Sequence, residues 1–166
     1  IILCSEDGFP LEKNCVLHGG VSLPDRRLIG EVSRLAVSKD YRRRAEDHFI
    51  YDEDGDGDAA PDLPATFEER RRRHEIVIGL YKLVYIESKK MALTHWYTAM
   101  GKGLVLLLTK MGVIFDSIGP AINYHGLRTP YLGDIAAIEK KVITLNPAFF
   151  QEANEELVRY MGENTQ

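Results

Sequence analysis

Glu31-Val32-Ser33-Arg34-Leu35-Ala36-Val37-Ser38-Lys39-Asp40-Tyr41-Arg42-Arg43-Arg44 reads as a strand running into a basic turn. Val32, Arg34 and Ala36 alternate with Glu31, Ser33, Leu35 and Val37, so a carboxylate, a hydroxyl and a guanidinium are set into a segment that otherwise suits a sheet interior. Charges there are costly unless paired. Glu31 and Arg34, three apart, fall on opposite faces, and each needs its own partner. Two readings stand: structural ion pairs with neighbouring strands, or groups retained to hold a substrate.

Upstream, Ile1 to Cys4 is strand-like, followed by a turn through Asp7-Gly8, a loop containing Pro10, and an irregular or helical connection from Asn14 to Gly20. The chain opens already apolar and without an initiator Met, so a preceding N-terminal portion is expected. Leu23 to Gly30 is a polar approach to the central strand, which Leu28 and Ile29 can extend backwards.

Downstream, residues 46–67 exchange the aliphatic pattern for Asp, Gly, Ala and Pro and read as a mobile acidic loop. Asp52, Asp54, Asp56 and Gly57 imitate the opening of an EF-hand loop, but the closing position falls on Leu63, so the run reads as a solvated acidic loop. From Phe67 a helix is predicted, with Thr66 as its cap and Glu68-Glu69 in the first turn. Ile76, Leu80, Leu83, Val84 and Glu87 keep helical spacing, while Val77, Ile78, Tyr81, Tyr85 and Ile86 make the helix apolar nearly all round and so packed on more than one side. Ala92 to Met100 reads as a strand, Leu104, Leu107, Leu108 and Met111 as a short amphipathic helix closed by Gly112, and Val113 to Ile118 as the next strand. Tyr131 to Gly133 reads as a short edge strand. Asp134 caps a helix over Ile135 to Ile143, and Asn146-Pro147 starts another running to Tyr160 or Met161. This order describes a single α/β or α+β domain.

The 166 residues suffice for one sizeable core. With 45% hydrophobic and 28% charged residues the chain is globular, and a net charge of −4 argues against a general nucleic-acid binder. Cys4 and Cys15 can pair on spacing alone, yet nothing marks a secreted disulfide scaffold, and reduced thiols in a cytoplasm are expected. The run Leu104 to Leu108 is far short of the roughly 20 residues a membrane span needs. Histidines and cysteines lack ligand spacing, so no metal is expected.

The string from Glu31 resembles the Glu-x-Ser-Arg-(Leu/Phe)-Ala-Val signature of carrier-protein-dependent acyltransferases, the acyl-homoserine lactone (autoinducer) synthases and the long-chain N-acyl amino acid synthases. It is most similar to the exosortase-associated acyltransferases of the second group. Phe9-Pro10-Leu11-Glu12, the Arg42-Arg43-Arg44 triplet, Thr94-His95-Trp96-Tyr97, Ile118-Gly119-Pro120 and Tyr124-His125-Gly126 carry the likeness in the same order. It implies a GNAT-like fold, with a mixed central sheet flanked by helices. In that fold the strands bearing Glu31 and His95 splay apart to admit the pantetheine arm of an acyl donor, and the absent N-terminal part supplies the first strand and helices over the acceptor pocket.

The implied reaction is acyl transfer from acyl-carrier protein to the amino group of an amino acid, in the cytoplasm, with no cofactor beyond the donor's phosphopantetheine. By resemblance Glu31 is the base, Ser33 touches the substrate or the acyl carbonyl, and Arg34 holds the acceptor carboxylate or orients Glu31. Leu35, Ala36, Val37, Trp96, Tyr97, Tyr124 and His125 are candidate substrate contacts, with packing the competing reading for Trp96, Tyr124 and His125. His95 is either a packed core histidine or a catalytic base. Where acetyl-CoA enzymes of this fold carry a glycine-rich pyrophosphate cradle, this chain has Arg42, Arg43 and Arg44, which suit a carrier-bound phosphopantetheine phosphate. Arg70 to Arg73 can extend that docking face or be merely solvated. The tyrosine that protonates the departing thiolate in many such enzymes is replaced by Leu108. Leu80, Leu83, Val84, Leu104, Leu107 and Leu108 can wall an acyl channel or a core. Two alternatives remain: an acyl-homoserine lactone synthase using S-adenosylmethionine, and a non-catalytic module that binds acyl-carrier protein.

Overall fold

The computed structural model describes residues 1–33, 67–123 and 126–145, and beyond them 147, 149, 151, 153–155, 158 and 159. In chain order these residues form β1 (Ile2–Leu3), α1 (Pro10–Asn14), a 3-10 turn (Arg26–Leu28), β2 (Ile29–Glu31), α2 (Phe67–Lys90) and β3 (His95–Met100). Then follow α3 (Lys102–Lys110), β4 (Asp116–Ser117), β5 (Ile122–Asn123), β6 (Leu127–Asp134) and α4 (Ile135–Leu145). The described residues between 147 and 159 are helical. The protein is thus α+β, a mixed open sheet flanked by helices.

The sheet order is β1-β2-β3-β6-β4, with β5 on β6. Among these pairs β2 and β3 run parallel, with Ile29 opposite His95, Gly30 opposite Trp96 and Glu31 opposite Tyr97, and the others are antiparallel. A parallel pair requires a long crossover, and the connection from β2 to β3 contains α2. The alternation of β3 sorts the core into two layers. Trp96 and Met100 face Val77, Tyr81, Val84 and Tyr85 of α2, Leu108 of α3, and Ile135, Ile138 and Val142 of α4. Tyr97 faces the opposite way, into Phe9, Leu11, Cys15, Ile29 and Ile118.

Val77, Tyr81, Val84, Tyr85 and Ser88 form a buried stripe of α2 at helical spacing, and Ile86, on the opposite side of the helix, is buried as well, so α2 is packed on more than one side there, although Leu83 is 53% exposed. Both α2 and α3 end in the same hydrogen-bonded turn. After α3, Gly112 takes φ +88° while Val113 N donates to Leu108 O. After α2 the left-handed residue is Ala92 at φ +54°, with Leu93 N donating to Ser88 O. That turn occupies 91–94, so β3 starts at His95 and not at Ala92.

Three more expectations need correction. Pro10 opens a helix at its first turn, where its missing N–H is harmless, and does not lie in a loop. Of the strand expected over Val113 to Ile118, only Asp116 and Ser117 pair. The short edge strand expected at Tyr131 to Gly133 is the eight-residue β6, which lies inside the sheet between β3 and β4. Pro130 lies within this interior strand. A strand residue presents its N–H and C=O on one edge, and the Pro130 carbonyl accepts from Ile118 N at 3.0 Å. The missing N–H therefore falls on the side of two-residue β4, and pairing with β3 is undisturbed. Asp134 caps α4 as expected, its Oδ1 accepting from Ala136 N and Ala137 N.

Candidate functional site

Glu31 is the last residue of β2 and is 4% exposed, on the face of the sheet that α1 covers. A carboxylate removed from water needs a fixed donor. Its Oε2 accepts a hydrogen bond from Leu11 N at 2.9 Å, and Oε1 makes none that the described residues record. Burial, with Glu12 adding to it, pushes the Glu31 carboxyl above its ordinary value of 4.5, against the opposing pull of the Leu11 amide. Cys15, just beyond α1, has its thiol pushed up by burial first and then by the charge of Glu31. That thiol is held in its protonated form and makes a poor nucleophile. Cys4 and Cys15 are not bridged.

Tyr97 lies beside Glu31, its register partner across β2 and β3. Its side chain is wholly buried, with Phe9 edge-on at 5.2 Å between ring centroids. The hydroxyl has no hydrogen-bond partner among the described residues. Burial first, then the charge of Glu12, pushes the phenol up to about 12. Tyr97 is thus a neutral group with an unused donor and acceptor at neutral pH.

His95 is on the same face as Tyr97, half-buried, opposite Ile29 and not Glu31, with Nδ1 2.8 Å from Thr94 Oγ1. Trp96 points the other way. Its indole Nε1 donates to Ser88 Oγ at 2.7 Å, and Ser88 Oγ donates to Val84 O, so the tryptophan is anchored in the core layer under α2. Ser33 is half-buried, two residues past Glu31. The strands bearing Glu31 and His95 do not part at those residues. They are hydrogen-bonded there, and the last recorded bond is from Val32 N to Tyr97 O at 2.7 Å. Beyond it β3 continues to Met100, its register partners among the described residues lying on β6 alone.

The remaining candidates, Arg34, Leu35, Ala36, Val37, Arg42, Arg43, Arg44, Tyr124 and His125, lie outside the described residues, as do the acidic loop through 66 with its Asp52, Asp54 and Asp56, and the Thr66 cap. The side chains of Arg70 to Arg73 are likewise outside them. Of the residues set apart for an acyl channel, Val84 and Leu108 are buried, Leu80, Leu104 and Leu107 are half-buried, and Leu83 is exposed.

Sequence reading missed Glu12 and Arg26. Glu12 Oε2 accepts from Phe9 N at 3.2 Å and Oε1 accepts from Arg26 Nη2 at 2.8 Å. The contact between residues 12 and 26 crosses a loop, so no periodicity announces it; the only sequence signal was the Phe9-Pro10-Leu11-Glu12 likeness. The hollow lined by Gln151, Asn154, Glu155, Val158 and Arg159 includes none of these groups. Among the described residues no group of three His, Cys, Asp or Glu is placed to hold a metal ion, and no helix is long and apolar enough to cross a membrane. Comparison with protein-family models, with curated proteins and with solved structures gives no match to this chain.

Proposed function

We propose that this chain is an N-acyltransferase of GNAT-like fold that moves a long-chain acyl group from acyl-carrier protein to the amino group of an amino acid. The observation that carries the reading is Glu31. It is a buried carboxylate with a raised pKa, the last residue of β2 in a parallel strand pair, inside a Glu-x-Ser-Arg string that resembles this family.

The acceptor arrives as an ammonium ion and has no lone pair to attack with. Glu31 takes one proton through Oε1, directly or by way of a water, and its raised pKa makes it a stronger acceptor near neutrality than an ordinary glutamate. The free amine attacks the thioester carbonyl carbon, the C–N bond forms, and the C–S bond breaks. Of the two protons that leave nitrogen, one ends on the carrier thiol and one in solvent. Backbone amides past Glu31 support the oxyanion, Arg34 holds the acceptor carboxylate or orients Glu31, and Arg42, Arg43 and Arg44 take the phosphopantetheine phosphate. Past Val32 the β2-facing edge of β3, which has no partner among the described residues, suits the amides of a pantetheine arm laid along it like an added strand. With Cys15 held protonated, direct transfer without an acyl-enzyme is the simpler course.

The test is to incubate the protein with long-chain acyl-carrier protein and pooled amino acids. The expected result is free carrier thiol and an equal amount of N-acyl amino acid by mass spectrometry. Methylthioadenosine released from S-adenosylmethionine would move the assignment to lactone synthesis. Tight donor binding with no product from any acceptor would leave only a binding module.

A further inference from the structure

Glu12 lies on α1 and Glu31 on the sheet face that α1 covers, the charge of Glu12 adds to the rise of the Glu31 pKa, and each carboxylate is met by a fixed donor. The donors are two amides on either side of Pro10. Phe9 N donates to Glu12 Oε2 at 3.2 Å, and Leu11 N donates to Glu31 Oε2 at 2.9 Å. Glu12 is itself held from outside, since Arg26 Nη2 donates to its Oε1 at 2.8 Å. The fold leaves room for this arrangement at Gly8, where φ is +79° and an added Cβ would lie 2.8 Å from Glu12 Oε2. The first bond closes the N-terminal turn of α1, the same turn that carries the Leu11 amide onto Glu31.

We infer that Glu12, tied down by Arg26, is a positioning residue for Glu31: it braces the start of α1, keeps the Leu11 amide on Glu31 Oε2, and so leaves Oε1 turned to the acceptor amine. The inference rests on the acyl-transfer reading of Glu31. Among the described residues, the groups that act on Glu31 are Glu12 and the Leu11 amide from α1, Cys15 from the segment after it, and Tyr97 from β3; Arg26 acts on it through Glu12.

Two variants separate charge from bracing. Glu12→Gln keeps an oxygen for the Phe9 amide and removes the charge beside Glu31, whereas Glu12→Ala removes both. The readouts are the carbon-13 NMR titration of the Glu31 carboxyl, hydrogen exchange at the Leu11 amide, and kcat and KM with acyl-carrier protein and amino acid. In Glu12→Gln the Glu31 carboxyl should titrate at lower pH, moving the acid limb of kcat the same way. In Glu12→Ala the Leu11 amide should exchange on the order of tenfold faster. Its kcat should fall by on the order of tenfold or more with the donor KM unchanged. Arg26→Ala, at an exposed position, should repeat the Glu12→Ala pattern to a smaller degree without threatening the fold. Unchanged Leu11 exchange and unchanged Glu31 titration in both Glu12 variants would overturn the inference. If the wild-type protein transfers no acyl group, the acyltransferase reading falls, and titration and exchange still decide the positioning.

Discussion

Glu31 is held in a place that disfavours its charge, and this has a consequence for stability whatever the reaction. Its folded-state pKa lies above the ordinary 4.5, so the folded chain binds the proton more tightly than the unfolded one. The stability this gives is complete below the unfolded pKa and is lost as pH rises through the folded one. Glu31→Gln cannot titrate, and its urea midpoint should therefore gain on the wild type as pH rises from about 4 towards neutrality. A difference independent of pH would contradict the raised pKa. Tyr97 gives a second prediction at this scale. Its buried hydroxyl lacks a partner among the described residues, and an unmatched buried donor costs about 1–3 kcal/mol. Tyr97→Phe should raise unfolding free energy by about 1 kcal/mol in urea titration; a loss would mean that the hydroxyl is satisfied in solution. Glu31 was legible in the sequence because a carboxylate stood in a strand pattern. Glu12 and Arg26 were not, because a salt bridge across a loop leaves no local mark.

At the scale of elements, local chemistry read well where it was of the usual kind. Gly112 ends α3 and Asp134 opens α4 as their residue types announce. It read poorly where tertiary packing overrode preference. Ala92 adopts the left-handed conformation that glycine normally supplies, because Leu93 must turn back to cover Gly30, whose absent side chain leaves room for it. Ala92→Gly should relieve that strain and stabilise the protein by about 1 kcal/mol in thermal or urea unfolding. Gly112→Ala should do the reverse, and more strongly, since its Cβ would also lie 3.1 Å from Val142 Cα. Effects of opposite sign, the larger at Gly112, would confirm that both helices end by one device, while no gain at Ala92 would show that its turn is unstrained. Pro130 is tolerated inside β6 because a proline excludes only one edge of a strand, and which edge it blocks is decided by strand order.

For the whole molecule, the order of strands and helices in the sequence sufficed for an α/β or α+β domain, and the mixed sheet was what the resemblance implied; the connection that carries the long helix α2 is the crossover that the parallel pair of β2 and β3 requires. The order did not show where that pair stays together. Among the described residues the strands are joined through Val32, so the donor's place, on the proposed account, lies beyond that residue along β3. An acidic carrier approaching Arg42, Arg43 and Arg44 should bind more weakly as salt rises, mostly through its association rate. The account turns on Glu31 as the group that frees the amine. Its most direct test is the single-turnover rate of acyl transfer from preformed complexes of acyl-carrier protein with the wild-type protein and with Glu31→Gln, measured across pH. The proposal predicts a fall of about 10²-fold or more in the variant, loss of the acid limb, and unchanged donor affinity. Equal rates and an unaltered profile in the two proteins would contradict it.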